Sequence, residues 1–252
     1  MKTLNYISLL FLSVFITSCS NDDDSNNQAK GFFPTQIAAT GFTNPDDNLT
    51  IGIEYNQDNT ISRITLTDGD GSIRTKDYNY TNGRVTQVEN NGFLGGPDIR
   101  TFVYNASGQL SSIIDENDSG SETFPIAYNS ATNTYTLTDE SDTYSVTLDA
   151  TDNPNLYSSS FFPDLTITLD DTNSGVFKNV EPQVALQFDL VLFNSGHLLY
   201  FLNQKQINHY EFGVQDFDVI NSRNEDDNIT VVDYNFASEN IQLNISYQER
   251  NL

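Results

Sequence analysis

Between Tyr55 and Leu137 the chain repeats itself. Tyr55-Asn56 leads to Ile61 and Ile64, and Tyr80-Thr81-Asn82-Gly83-Arg84-Val85 leads to Val88. Tyr104-Asn105-Ala106-Ser107-Gly108-Gln109-Leu110 leads to Ile113, and Tyr128-Asn129 leads to Tyr135 and Leu137. The leading tyrosines stand 25, 24 and 24 residues apart. A weaker copy runs from Leu148-Asp149 to Leu156-Tyr157, and another from Tyr234-Asn235 to Ile241 and Leu243. A period of this length marks a supersecondary unit that buries its apolar face only against its neighbours. Thr101-Phe102-Val103-Tyr104 alternates as a strand does. Asn82-Gly83 and Ser107-Gly108 tolerate the positive φ that hairpin turns demand. Asp68-Gly69-Asp70-Gly71 and Asn90-Asn91-Gly92 fall between units and turn the chain back. The expectation is a mainly β fold: an antiparallel meander of hairpins forming one large curved sheet.

The consensus Tyr-Asn-x-x-Gly-x-Leu-x-x-Ile resembles the YD (Rhs-type) repeat, whose signature is Tyr-Asp, a short turn with glycine, then an apolar pair. The resemblance covers residues 51–157. It is nearer to the short repeat-bearing lipoproteins of Bacteroidota than to the giant Rhs toxins, whose core terminus and cargo have no counterpart in this sequence. The Asp of the signature is Asn or Thr in the first four copies, and two copies lack the glycine. An ordinary antiparallel sheet whose hairpins share turn chemistry predicts the same strands.

The other informative stretch is N-terminal. Lys2 precedes an apolar run from Leu4 to Ile16, which is too short and interrupted to span a bilayer and fits a secretory signal. Ile16-Thr17-Ser18-Cys19 resembles the lipobox of bacterial lipoproteins. That resemblance implies removal of residues 1–18 and attachment of diacylglycerol and a further acyl chain at Cys19. A lone thiol in an exported chain has no disulfide partner, and two or more acyl chains hold a protein to a membrane stably. The next residues, Ser20, Asn21, Asp22, Asp23 and Asp24, resemble the acidic export signal of Bacteroidota lipoproteins carried to the outer face of the outer membrane. Residues 19–30 hold no large apolar side chain after the cysteine and read as an acidic flexible tether.

Charge narrows the partners. The formal net charge is −24, and loss of Lys2 with the leader takes it to −25. Such a chain repels nucleic acid and anionic headgroups, so nucleic-acid binding is excluded and membrane association must come from the lipid. Residues 31–252 suit one β-rich domain, with the repeats at 51–157 and a C-terminal cap at 158–252. In it, Thr35–Ala39, Leu49–Tyr55, Leu165–Leu169, Ile229–Phe236 and Ile241–Tyr247 read as strands. Residues 183–193, Val184 to Phe193 above all, are the most apolar part of the mature chain. Glu181-Pro182 would start a helix well, yet the β-branched and aromatic residues suit a buried strand too. The lean is to a short helical segment packed on one face of the sheet.

Little of this carries chemistry. Only His197 and His209 could act as an imidazole base, and no nucleophile elbow or His-Glu-x-x-His motif is present. His209 has Glu211 nearby in sequence. Thirty-five acidic residues guarantee close carboxylate pairs by number alone. Asp68 and Asp70 are the weak Ca²⁺ candidates; Asp115 to Asp118 and Glu225 to Asn228 offer further oxygen donors, but none has a full calcium-loop spacing. Thirteen tyrosines without tryptophan read as a ladder on the sheet, or as a platform for a glycan or protein. The chain reads best as a lipid-anchored, outer-membrane β-repeat protein without enzymatic activity, serving as a binding or scaffold module. The alternatives are an accessory glycan- or nutrient-binding surface lipoprotein and a carboxylate-dependent hydrolase.

Overall fold

The computed structural model describes residues 29–92, 98–192, 203–236 and 239–252. Its strands are β1 (Lys30–Thr40), β2 (Leu49–Tyr55), β3 (Ile61–Asp68), β4 (Ile73–Thr81), β5 (Arg84–Asn91), β6 (Asp98–Tyr104), β7 (Leu110–Asn117) and β8 (Gly120–Asn129). They continue as β9 (Thr134–Asp139), β10 (Asp142–Leu148), β11 (Pro154–Ser159), β12 (Leu165–Ser174), β13 (Lys205–Phe212), β14 (Gln215–Arg223), β15 (Ile229–Phe236) and β16 (Glu239–Asn251). Among the described residues one short α-helix, α1 (Val184–Gln187), runs into a π-helical turn at Phe188–Leu192. Each strand pairs antiparallel with its neighbour in sequence, and β1 pairs with both β2 and β16, closing the barrel.

Closure corrects the expectation of one large curved sheet with a segment on one face. No edge is left over: Ile37 lies opposite Ile245 on one side and Ile51 on the other. Unpaired edges invite aggregation, and a ring removes them. Among the described residues after 158, β12 to β16 belong to the same ring.

The repeat proves to be a turn followed by a bulge. At 56–60, 105–109, 149–153 and 224–228 the first residue's N–H donates to the carbonyl four residues on, closing a turn of one design. The fourth residue of each takes positive φ: Asn59, Gly108, Asp152 and Asp227. Asn and Asp are the L-residues that best tolerate this conformation, so the Tyr55 copy keeps the same turn without glycine. In the first three hairpins one extra residue then slips into the second strand, Ser62, Thr86 or Ser111, where the pairing register shifts. That bulge turns both apolar residues of the Leu-x-x-Ile spacing inward: Ile61 and Ile64, Val85 and Val88, Leu110 and Ile113 are all buried. The Tyr128 hairpin has no register shift, and its apolar pair is accordingly spaced by two. A copy unseen in the sequence sits at Arg223-Asn224 to Ile229 and Val232, with Arg where the others have Tyr.

Burial then alternates through the wall. Inward side chains from all round the ring, among them Ile37, Ile51, Ile113, Leu137, Val146, Val232 and Leu243, are inaccessible to water. Outward positions carry mainly Thr, Ser, Asn, Gln and Asp, with Ile73, Ile99 and Ile220 as scattered exposed apolar residues. On β16, for example, Ile241, Leu243 and Ile245 face in while Asn240, Gln242 and Asn244 are exposed. Outward neighbours pair across strands, as Thr134 with Thr147 (2.9 Å) and Gln242 with Asp233 (2.8 Å).

A round sixteen-strand barrel leaves room for a channel. Here the connection between β12 and β13 enters that space. Its neck is closed by Gly175 N–H to Gln204 O (2.6 Å) and Phe177 N–H to Asn203 O (3.2 Å). A side chain at Gly175 would collide with the carbonyls of Asn203 and Lys205, so glycine lets the two arms meet. Val176, Phe177, Ala185, Leu186, Phe188 and Leu190 are buried. The lean to a helix agrees with α1 and the turn after it, but Ala185, Leu186, Phe188 and Leu190 are buried inside the wall rather than packed on one face of an open sheet; Phe193 lies outside the described residues.

Candidate functional site

Two places in the barrel bring polar chemistry together. The first is where the inserted segment meets the wall. Asp189, fully buried, accepts from Arg100 Nη1 (2.7 Å), Tyr78 Oη (2.9 Å) and Lys76 Nζ (3.0 Å). Lys76 also donates to Asn90 (2.5 Å), and Arg100 grips Asp115 through two bonds of 2.6 and 2.7 Å. Burial opposes the charge on Asp189, but the Lys76 and Arg100 cations outweigh it and hold its carboxyl below the ordinary 3.8. The arrangement is a lock, with one anion on the insertion held by two cations and a phenol from β4 and β6. On the far wall Tyr157 of β11 donates to Gln187 Oε1 (2.7 Å).

The second is a cleft of about 220 Å³ at the end of the barrel where the insertion enters. Its walls include Arg84, Tyr104, Gly108, Tyr135, Asp152 and Glu181. Gln183 fixes one side: Val85 N–H donates to its Oε1 and its Nε2 donates to Gly83 O, both at 2.9 Å. Tyr104 is anchored by its hydroxyl on Val85 O (2.8 Å), and burial pushes its phenol up to about 12, so it stays neutral. Tyr55 shares this habit, donating to Pro34 O (2.7 Å), whereas Tyr128 donates to Asn133 Oδ1 (2.9 Å) and meets Tyr135 with ring centroids 4.5 Å apart. Arg84 lies over the Tyr104 ring, 5.5 Å from its centroid.

The residues singled out from sequence fall elsewhere. Cys19, Ser20, Asn21, Asp22, Asp23, Asp24 and His197 lie outside the described residues. Asp68 accepts from Arg74 (2.6 Å), and Asp70 accepts the N–H of Ser72 (2.7 Å) within its turn. Asp115 is committed to Arg100 and Asp227 to Arg223 (3.2 Å). Among the described residues no group of three His, Cys, Asp or Glu gathers as a metal site. His209 stands on the outer wall with Asp216 (2.6 Å) and Asp218 (3.1 Å) of β14, whose carboxylates are well exposed. Exposed pairs of this kind contribute little. Lys76, Arg100, Asp189 and Arg84 were not singled out, yet a signal existed. Lys76 and Arg100 occupy the same alternation as Tyr78, Phe102 and Tyr104, and Asp189 interrupts the most apolar stretch of the mature chain.

No protein-family model and no curated protein matches this sequence. Among solved structures, a porin-like protein from Bacteroides uniformis aligns with a TM-score of 0.51 at 14% identity, over 85% of this chain and 98% of that one. A porin-like protein from Bacteroides vulgatus aligns with a TM-score of 0.39 at 12% identity, over 86% and 99%. The likeness to the first is one of fold. A barrel wall that faces lipid needs an outward apolar band about 25 Å tall, with polar residues lining the lumen. The described wall has the reverse distribution, apolar within and polar without.

Proposed function

We propose that this protein is a lipid-anchored envelope barrel that sits beside the membrane rather than through it, and acts as a non-catalytic binding module. The observation that carries this is the inverted wall. Threonine, asparagine and aspartate on the outside are at home in water, and the lipobox at Cys19 supplies a route to a membrane that does not need the wall. Diacylglycerol and an acyl chain on that sulfur would hold the barrel through the tether at 19–30. β1 begins at the end of the barrel that carries the mouth cleft, so anchor and cleft share one end. Ser20 to Asp24 would direct the protein to the outer face of the outer membrane, the compartment in which a porin-like fold is familiar.

Detergent phase partition tests this. The full chain enters the detergent phase, while residues 20–252 made without the leader and the acylated sulfur stay in water. Entry of that leaderless protein into detergent means that the wall itself faces lipid, and the proposal fails. Surface placement is tested by protease added to intact cells, which removes the domain. Replacing Asp22, Asp23 and Asp24 by alanine shields it; unchanged shaving leaves those residues without a sorting role.

The cleft favours a second reading within the same setting, an accessory lipoprotein that captures a nutrient. Half-buried tyrosines beside charged side chains are what such a site is built from.

A further inference from the structure

Arg84 is unlike every other described cation. Lys30, Arg63, Arg74, Lys76, Arg100, Lys178, Lys205, Arg223 and Arg250 each donate to an oxygen acceptor. Among the described residues Arg84 donates to none, in a chain where acids outnumber lysine and arginine 35 to 11. It is nonetheless held in place. Its guanidinium rests on the Tyr104 ring and passes over Gly108, where a Cβ would collide with it. A guanidinium placed between a ring and a backbone turn gives up less freedom on binding a carboxylate than an unconstrained arginine does.

Two acids, Asp152 and Glu181, line the same cleft, and neither makes an ion pair among the described residues. Asp152 is presented by the positive-φ position of its turn, and Glu181 by the loop that Gln183 clamps to the Gly83 and Val85 backbone. The site therefore offers one positive and two negative groups around tyrosine rings, Pro182 and Val184. A simple anion would meet Arg84 but be repelled by both acids and by the charge of the whole chain. A neutral sugar would leave all three charges unmatched. A carboxylate joined to ammonium groups through a methylene stem matches every element.

We propose that this cleft binds a small ligand of the basic amino-acid class, its carboxylate on Arg84, its ammonium groups on Asp152 and Glu181, and its aliphatic stem along Tyr104 and Tyr135. The proposal rests on the binding-module reading but not on the anchor, so phase partition and ligand binding fail independently.

Calorimetric titration of the full chain with L-lysine tests it, with hexanoate and lysinamide as probes lacking the ammonium groups or the carboxylate. Lysine binds saturably, and each comparator binds about tenfold or more weakly, as expected for loss of a charge-assisted contact. Arg84→Gln weakens lysine by a similar factor and removes its advantage over lysinamide. Asp152→Asn combined with Glu181→Gln removes its advantage over hexanoate. Gly108→Ala displaces Arg84 without altering charge and also weakens lysine. Absence of saturable lysine binding, or binding indifferent to Arg84→Gln, overturns the proposal, as does tighter binding of galacturonate than of lysine. Should Arg84→Gln prove unstable on thermal melting, the ranking of the three probes on the parent protein decides.

Discussion

At the scale of single residues the decisive side chain is Asp189. It is the only acid of the insertion shown to be held by two buried cations, and removing one member of such a cluster strands the others. Asp189→Asn is therefore expected to destabilise the protein by about 3–5 kcal/mol at neutral pH, measured by denaturant unfolding. The pH dependence has a definite sign. Because the folded protein holds this carboxyl below 3.8, its contribution is complete above that value and is lost as pH falls through the lower, folded value. The parent protein should accordingly lose stability in acid, and Asp189→Asn should lose less over the same range. Equal losses would mean that Asp189 is not the group responsible. A smaller effect belongs to the turns. Asn59 occupies the position filled by Gly108 in another copy, but its side chain also donates to Asn251 O (2.7 Å) and accepts from Arg250 (2.8 Å), so Asn59→Gly should cost about 1–2 kcal/mol through those two bonds. Asn59→Val, β-branched at positive φ, should cost about 1–2 kcal/mol more.

At the scale of the hairpin, the bulge is what makes the repeat work. The apolar residues spaced by three can both face inward only if one residue is left out of the pairing, and Ser62, Thr86 and Ser111 are those residues. Deleting Ser111 should force Leu110 to the wet face or shift the register of β7 against β6. Exposing one buried leucine costs about 2–3 kcal/mol, and a register shift costs more. Inserting a residue into the β8–β9 pair, which has no bulge, should be comparably damaging. Thermal melting of the two variants checks both; a deletion of Ser111 that melts with the parent would show that the bulge is dispensable. The same element explains what the sequence displays so plainly. Turn residues and apolar spacing are local, so the hairpins, the Asn-Gly turn at 82–83 and the strands at Leu49–Tyr55 and Ile229–Phe236 could be read directly. β13 and β14 were not, because His209, Glu211, Asp216 and Asp218 crowd their outward face and hide the inward Ile207, Tyr210, Phe217 and Val219.

At the scale of the whole molecule the controlling contact is β1 against β16, between residues more than 200 positions apart. Removing residues 239–252 would leave β1 and β15 as open edges and uncover one side of the core. The expected outcome is an aggregated or oligomeric product on gel filtration, where a monodisperse monomer would show that closure is not required.

Sequence alone determined the parts with short range: strand periodicity, turn chemistry, the hairpin repeat, the acidic surface, and the expectation of a lipid anchor at Cys19. Only the tertiary structure decided that the meander closes, which face is inside, and that the apolar segment fills the barrel. The reason is physical. Alternation labels two faces of a strand without saying what covers either, and no local interaction records whether the first strand meets the last. Burial of Asp189 beside Lys76 and Arg100 follows from that enclosure, since it joins residues 113 and 89 positions apart, whereas Arg84 meets Tyr104 and Gly108 of the next hairpin.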